Sequence, residues 1–385
     1  MENIQLKDTD FIIGKSLPWP IYSSNGALLL DQGQVLNSQK LIDGLLVRGA
    51  CRRPTADDIL KAKQAKKTQQ DEKFSLDSPF NVLDALRVNL QRILTDITSN
   101  VESDYNDRII KLTKVIQKLC FENSDAALGA IILDQKSAYT NIHPILCAIL
   151  TELMTRRQKV PDEDRLLYIA AALTQNVGML ELQGELTNQT EKLTEAQSKT
   201  VKEHPNISKE IMQGLGVMHE EWLNTILFHH ERPDGKGYPL GLSGDDIPIQ
   251  AKILSVTDIY SAMVLPRKYR DGYYVKKALQ DIFLQRGKSV DVHIAQLLIK
   301  EIGIYPPGTF VRLFNGETAI VLRRGVRDAA SPLVLSILNI SGDALAKPIQ
   351  RDTIHKDIYG IKEVVPRLQE LEINRDEIWS IGENK

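Results

Sequence analysis

The sequence predicts an α+β chain, with a central all-helical domain flanked by small β-rich units at its N- and C-terminal ends. Three observations carry this expectation. From about residue 79 to 300, apolar residues recur at three- and four-residue steps, the period of one helix face. Before and after that stretch lie short β-branched runs punctuated by Asn-Gly and Ser-Gly turn signals. At 385 residues the chain is too long for one ordinary domain and suits two or three.

Residues 1–55 read as a small β-rich domain. Ile21-Tyr22, Asn25-Gly26 and Ala27 to Leu30 form a hairpin pattern, because Asn-Gly supplies the positive φ angles of a tight turn. Leu41 to Val47 reads as a short closing helix. Residues 56–78 change composition: in KAKQAKKTQQDEK alanine is the one apolar type, which predicts a charged, solvated linker or an exposed helix rather than a docking patch.

Residues 79–304 are expected to be helical. Val82, Leu83, Leu86, Leu90, Ile93 and Leu94 share one face, and Ile109, Leu112, Val115, Ile116 and Leu119 repeat the pattern behind the candidate caps Ser103 and Asp104. Several such helices in series imply a packed α domain. After Pro306-Pro307-Gly308 the runs Phe310 to Leu313, Ala319 to Leu322 and Leu333 to Leu338 suggest a β-barrel-like unit over 305–365, with 366–385 as a tail. No repeat of fixed period is present.

Composition excludes several classes. Hydrophobic residues at 42% and charged residues at 25% are those of a globular protein, and a net charge of −2 gives no field for bulk nucleic-acid binding. Cys51, Cys120 and Cys147 are far apart, odd in number and without a CxxC, which speaks against a disulfide framework or a zinc-thiolate site and fits a reducing compartment. The polar start MENIQLKDTD is unlike a secretion signal, and the longest apolar runs, such as Ala126 to Leu133, are far short of a membrane span. A cytoplasmic location is expected.

Chemistry concentrates in His229 to Pro239, HHERPDGKGYP. Imidazole suits iron, manganese or zinc. Gly235 and Gly237 let a ligand approach the backbone, Tyr238 offers a flat face for a base, and Pro239 stiffens the turn. A bare His-His pair is a weak signal, since core and surface histidines outnumber ligands. The string continues, however, as GLSGDDIPIQAKILSVTDIYSAM and then LPRKYR.

The run from His229 to Arg270 resembles the signature of the HD-GYP family of bacterial cyclic di-GMP phosphodiesterases, and the likeness covers roughly residues 135 to 300. The resemblance implies a helical HD-type domain holding two or three metal ions, where a metal-bound hydroxide opens cyclic di-GMP to pGpG or GMP. Matched to the family pattern, the metal ligands are His143, His204, His229, His230 and Asp258, and the phosphate-facing element is Arg267 with Arg270. Gly235, Gly237, Tyr238 and Pro239 match the nucleotide-binding loop. Lys236 receives no role, and Ser261 stands where many members carry a second aspartate.

This sequence departs from the family at the His-Asp doublet. In TQNVGM, Gln175 and Asn176 take its place, Met179 replaces the lysine that follows, and Tyr139 stands where trinuclear members have a glutamate. Asparagine brings no charge to hold two cations close together, so a dinuclear site is expected to weaken. Iron or manganese at reduced occupancy, a single ion, or no metal all remain open. Three functions follow from the resemblance: a receptor for cyclic di-GMP or a related nucleotide with weak or absent hydrolysis, an active phosphodiesterase with an altered metal set, or a scaffold for a diguanylate cyclase or other signalling protein.

Overall fold

The structure is a computed structural model and describes residues 4–7, 10–55, 78–134, 137–265, 275–368 and 378–379. The chain divides into two compact units, Met1–Lys73 and Phe74–Lys385. The linker segment 56–77 and the Arg267/Arg270 element lie outside the described residues.

The first unit carries β1 (Ile4–Gln5), β2 (Ile21–Tyr22), β3 (Leu28–Leu30), α1 (Gln39–Val47) and β4 (Cys51–Arg52). These strands form one antiparallel sheet in the order β1-β4-β2-β3. The expected hairpin is β2–β3, with Ile21 opposite Leu30. Of the Asn-Gly pair only Gly26 adopts a positive φ, 86°. A bond from the Ser23 N–H to Ala27 O spreads the turn over more residues than a tight Asn-Gly turn. Leu6, Phe11, Leu17, Ile21, Leu36, Ile42, Leu45 and Ala50 make the core of this unit.

The second unit is mostly helical: α2 (Pro79–Thr98), α3 (Tyr105–Ile132), α4 (Tyr139–Arg157), α5 (Asp162–Thr174), α6 (Leu180–Leu186), α7 (Glu195–Gly214), α8 (Glu220–Phe228), α9 (Ile249–Val264), α10 (Val275–Leu284) and α11 (Val292–Ile302). The apolar faces read from the sequence are the buried ones. Val82, Leu83, Leu86, Leu90, Ile93 and Leu94 of α2 all enter the core. Asp104 caps α3 by accepting from the Asp107 N–H at 2.9 Å. Within α3 the helix breaks at Asn123, whose φ of −154° is extended. The Asn123 side chain accepts from the Ala126 N–H at 2.9 Å and so acts as a cap for the turns that follow. The helix at the centre is α4, buried on nearly all sides, as an all-round apolar helix must be.

The C-terminal strands are β5 (Phe310–Leu313), β6 (Thr318–Arg323), β7 (Leu333–Leu338), β8 (Ala344–Asp352) and β9 (Ile361–Val364), with the short α12 (Lys356–Tyr359) before β9. They form an antiparallel sheet in the order β8-β7-β6-β5-β9. The sheet is open rather than barrel-like. One face places Phe310, Ile320, Leu322, Leu335 and Ile337 in the core shared with the helices, so that face is covered without curling the sheet on itself. Val311, Leu313, Ala319, Val321 and Val334 form a smaller cluster with Tyr359, Ile361 and Val364.

Arg324, just past β6, ties sheet to helices through Ser124 at 2.6 Å, Glu301 at 3.0 Å and Asp125. The segment read as a tail is not wholly solvated. Ile378 and Trp379 are buried in the main core, and the indole N–H of Trp379 donates to Leu322 O at 3.1 Å. A Cβ on Gly129 would lie 2.1 Å from the Trp379 ring, so only glycine leaves room for it.

Candidate metal and nucleotide site

The site is assembled on α4, the turn after α5, α7, the end of α8 and α9. Each histidine is oriented by its own backbone. On α7, Pro205 lacks an N–H and frees the carbonyl four residues back, that of Val201. His204 Nδ1 stands 2.7 Å from that oxygen. His229 follows the last turn of α8, where Ile226 O has no helical N–H to accept, and Nδ1 of His229 stands 2.6 Å from it. Each ring must therefore carry its proton on Nδ1 and turn the Nε2 lone pair inward.

The two Nε2 atoms face each other at 3.3 Å. Two lone pairs at that distance repel, and only a proton or a cation relieves them. Burial pushes the His204 imidazole down to about 4 and His229 to about 3, so a proton is disfavoured at neutral pH. Two imidazole nitrogens bound to one tetrahedral ion lie roughly 3.3 Å apart at ordinary bond lengths. The donor pair therefore fits a divalent cation. With His230, these histidines form a group whose ligand atoms all lie within 4.8 Å of one another.

His143 and Asp258 form the second group. His143 Nε2 is 3.3 Å from Asp258 Oδ1, and Cys147, one turn along α4, belongs to the same group. Tyr139 packs on the His143 ring with centroids 4.9 Å apart.

Gln175 and Asn176 occupy the turn between α5 and the short helix Val177–Met179, held close to α7. A Cβ on Gly178 would lie 2.8 Å from Ser208 N and 2.9 Å from His204 O. The Gly178 N–H donates to Ser208 Oγ at 2.9 Å, and that hydroxyl donates to Gln175 O at 2.8 Å. Gln175 is wholly buried beside the Cys147 thiol and Asn176 is 7% exposed, and Asn176 Oδ1 has no hydrogen-bond partner among the described residues. A cleft of about 470 Å³ is lined by Asn176 together with His143, His230, Tyr238 and Asp258.

The loop after α8 braces itself. Glu231 is buried and accepts from the Leu240 and Gly241 N–H groups at 2.6 and 3.1 Å. A Cβ on Gly237 would fall 2.5 Å from Arg232 N and 2.6 Å from His230 O, so only glycine permits this crossing. Gly235 takes a positive φ of 70°, and the Tyr238-Pro239 peptide is cis. Tyr238 does not stand clear at the surface. It is half-buried with its ring stacked on His230, centroids 4.7 Å apart and planes at 30°. One face of the ring anticipated for a base is thus spent on orienting an imidazole.

Of the site residues expected from the sequence, His143, His204, His229, His230 and Asp258 lie in these two groups, and Asn176 and Tyr238 line the same cleft. Two features escaped the sequence reading. Cys147 shares the His143 face of α4, and its only signal is the four-residue step from that histidine. The connection from α6 to α7, with Thr187, Gln189 and Lys192, forms one wall of the cleft. The Gln189 and Gln197 amides pair reciprocally at 2.8 and 3.1 Å to hold that wall, a long-loop contact that no local pattern announces.

Residues 126–294 match the family described as HD domain. The chain is 27% identical over 223 residues to the cyclic di-GMP phosphodiesterase PA4108 of Pseudomonas aeruginosa, covering 58% of this chain and 54% of that protein. It is 30% identical over 210 residues to 3'3'-cGAMP-specific phosphodiesterase 3 of Vibrio cholerae, covering 53% and 45%. The chain thus spans about half the length of these curated relatives. Among solved structures, Bd1817, an HDG"Y"P protein from Bdellovibrio bacteriovorus, aligns with a TM-score of 0.51 at 14% identity, covering 78% of this chain and 99% of that one, a likeness of fold.

Fold and matched region define an HD-domain protein. With the signature from His229 onward and these relatives, residues 126–294 form an HD domain of the HD-GYP type. No helix among the described residues is long and apolar enough to cross a membrane.

Proposed function

We propose that this protein binds a cyclic dinucleotide in the cleft beside a divalent cation and hydrolyses it weakly or not at all. The observation that carries the reading is the pair Gln175-Asn176. It lies buried beside two groups of side chains that could hold a metal ion, yet brings no charge, and Asn176 Oδ1 has no hydrogen-bond partner among the described residues. His204, His229 and His230 would hold one ion, and His143 with Asp258 would take part in a second position. A bound ion supplies Lewis acidity, polarising a phosphoryl oxygen and acidifying water. Without a carboxylate at position 176, two cations a few ångströms apart lack the charge that offsets their repulsion.

The rest of the reading concerns the nucleotide. A volume of about 470 Å³ falls in the range of small-molecule clefts. Tyr238 stacks on His230, and among the described residues lining the cleft Lys192 is the one lysine or arginine. We assign Lys192, with Arg267 and Arg270, to the phosphates, and Gly235, Gly237 and Pro239 to the backbone that admits them.

The test is calorimetric titration of the full chain with cyclic di-GMP and with 3'3'-cGAMP in the presence of Mn²⁺, followed by chromatography of the nucleotide. Saturable binding with most of the nucleotide intact is expected. Multiple turnovers that vanish in His229→Ala would instead make the protein an active phosphodiesterase. Absence of binding to either nucleotide would leave the scaffold reading.

A further inference from the structure

The cleft has a wall that the metal-binding side chains do not explain. Met179 on the short helix after Asn176, Leu186 at the end of α6, Leu193 in the connection that follows and Val201 on α7 all line it. Met179, Leu186 and Val201 are half-buried, and Leu193 is 46% exposed. Single exposed apolar residues are ordinary on a protein surface. These four come from four separate segments and meet on one cleft, beside a residue of a different kind. Gln183 of α6, only 8% exposed, lines the same cleft and brings a side-chain amide, donor and acceptor both.

The wall is ordered without a ligand. The Gln189 amide donates to Lys192 O at 3.3 Å and exchanges bonds with Gln197 of α7. Thr194 and Gln197 form a capping box, with the Gln197 N–H donating to Thr194 Oγ1 at 3.2 Å and the Thr194 N–H donating to Gln197 Oε1 at 3.0 Å. Leu193 stands between these two tied residues, so its place at the cleft is set in advance. The wall is also continuous with the metal groups. Val201 lies three residues before His204, and Met179 lies three residues after Asn176.

We propose that Met179, Leu186, Leu193 and Val201 form the shelf on which a purine base of the bound nucleotide lies, with the Gln183 amide reading the edge of that base. A flat heterocycle needs an apolar surface for its face and a polar group for its edge, and this wall offers both. An acyl chain would leave the amide unused, and a bare sugar phosphate would leave the apolar surface wet. Tyr238 already gives one ring face to His230, so the base finds its surface elsewhere. A lysine at position 179, as in the family pattern, would bring a charge to this wall. The methionine brings a polarisable thioether that adapts to an aromatic ring. Lys192, the neighbour of Leu193, is the cation for the phosphate joined to that base. The proposal rests on the reading of the cleft as a cyclic-dinucleotide site.

The test uses the full chain with Zn²⁺, a diamagnetic ion, and cyclic di-GMP or 3'3'-cGAMP as probe. The chain has six methionines, and their methyl groups are followed by NMR after ¹³C labelling. One methyl signal should move upfield as the nucleotide saturates the protein, and Met179→Leu should lack that signal. By calorimetry, Leu193→Ser should bind the nucleotide roughly tenfold more weakly, with Zn²⁺ affinity unchanged. Gln183→Met keeps the shape, loses the amide and should cost a similar factor. The methyl signal is read in the wild-type chain, so the proposal stays testable where a variant folds poorly. Wild-type affinity in Leu193→Ser, or a Met179 methyl that stays in place at saturation, would overturn the proposal and leave the nucleotide reading standing. A parallel loss of Zn²⁺ affinity in Leu193→Ser would overturn it too, by making the wall a support of the metal groups. Absence of saturable binding of either nucleotide to wild type would overturn both.

Discussion

At the scale of single residues, the site depends on which ring nitrogen keeps its proton. Pro205 sets this for His204 by leaving the Val201 carbonyl for Nδ1. In Pro205→Ala the helix regains an N–H that competes for that carbonyl. An interior proline costs a helix on the order of 3 kcal/mol, so the variant should unfold at an equal or higher temperature than wild type. Its Mn²⁺ or Co²⁺ affinity should nevertheless fall roughly tenfold, as for other losses of an orienting partner. Affinity unchanged in a stabilised protein would show that the proline has no part in aiming His204. The doublet gives a second test. Gln175→His with Asn176→Asp should raise metal content on elemental analysis, because Asn176 already shares the cleft with His143, His230 and Asp258. No gain in bound iron or manganese would mean that the surrounding shell, Met179 included, no longer suits two ions.

At the scale of elements, the C-terminal sheet is cross-tied by Glu317, the residue before β6. Its carboxylate accepts from Arg351 on β8 at 2.7 and 3.0 Å and from Ser336 on β7 at 2.7 Å. These bonds, Arg351 first, hold the Glu317 carboxyl down to about 2. A depressed native value stabilises the fold above the unfolded value, about 4.3 for glutamate, and the contribution is lost as pH falls towards 2. The melting temperature should therefore drop between about pH 5 and pH 2, and Glu317→Gln should flatten that part of the curve while lowering stability at pH 7. Identical pH profiles for the two proteins would remove Glu317 from the account.

At the scale of the whole second unit, helices and sheet share one core, and Trp379 closes it. The indole packs against Phe80 on α2 with centroids 5.9 Å apart, fills the space left by Gly129 on α3, and bonds to β6. Removing a buried tryptophan commonly costs about 3–5 kcal/mol, so Trp379→Ala should lower the denaturant midpoint of this unit strongly. A surface-like change of a few tenths of a kcal/mol would mean that the C-terminal residues contribute little to the core. This contribution is hard to read locally, because EIWSIG gives no period and stands far along the chain from the helices it covers.

The sequence by itself determined the helical and strand patterns, because the 3.6- and 2-residue periods are set by burial of one face. It also named the candidate ligands, because the resemblance to a family pattern let seven positions be matched in order and two of them found altered. What only the tertiary structure decided are contacts between distant segments. The opposed Nε2 atoms of His204 and His229, the stacking of Tyr238 on His230, and the sulfur of Cys147 beside Gln175 are of this kind. The open form of the second sheet belongs with them. Each follows from how helices and loops pack against one another. Packing is a property of shape and distance across the fold, which a one-dimensional pattern does not carry.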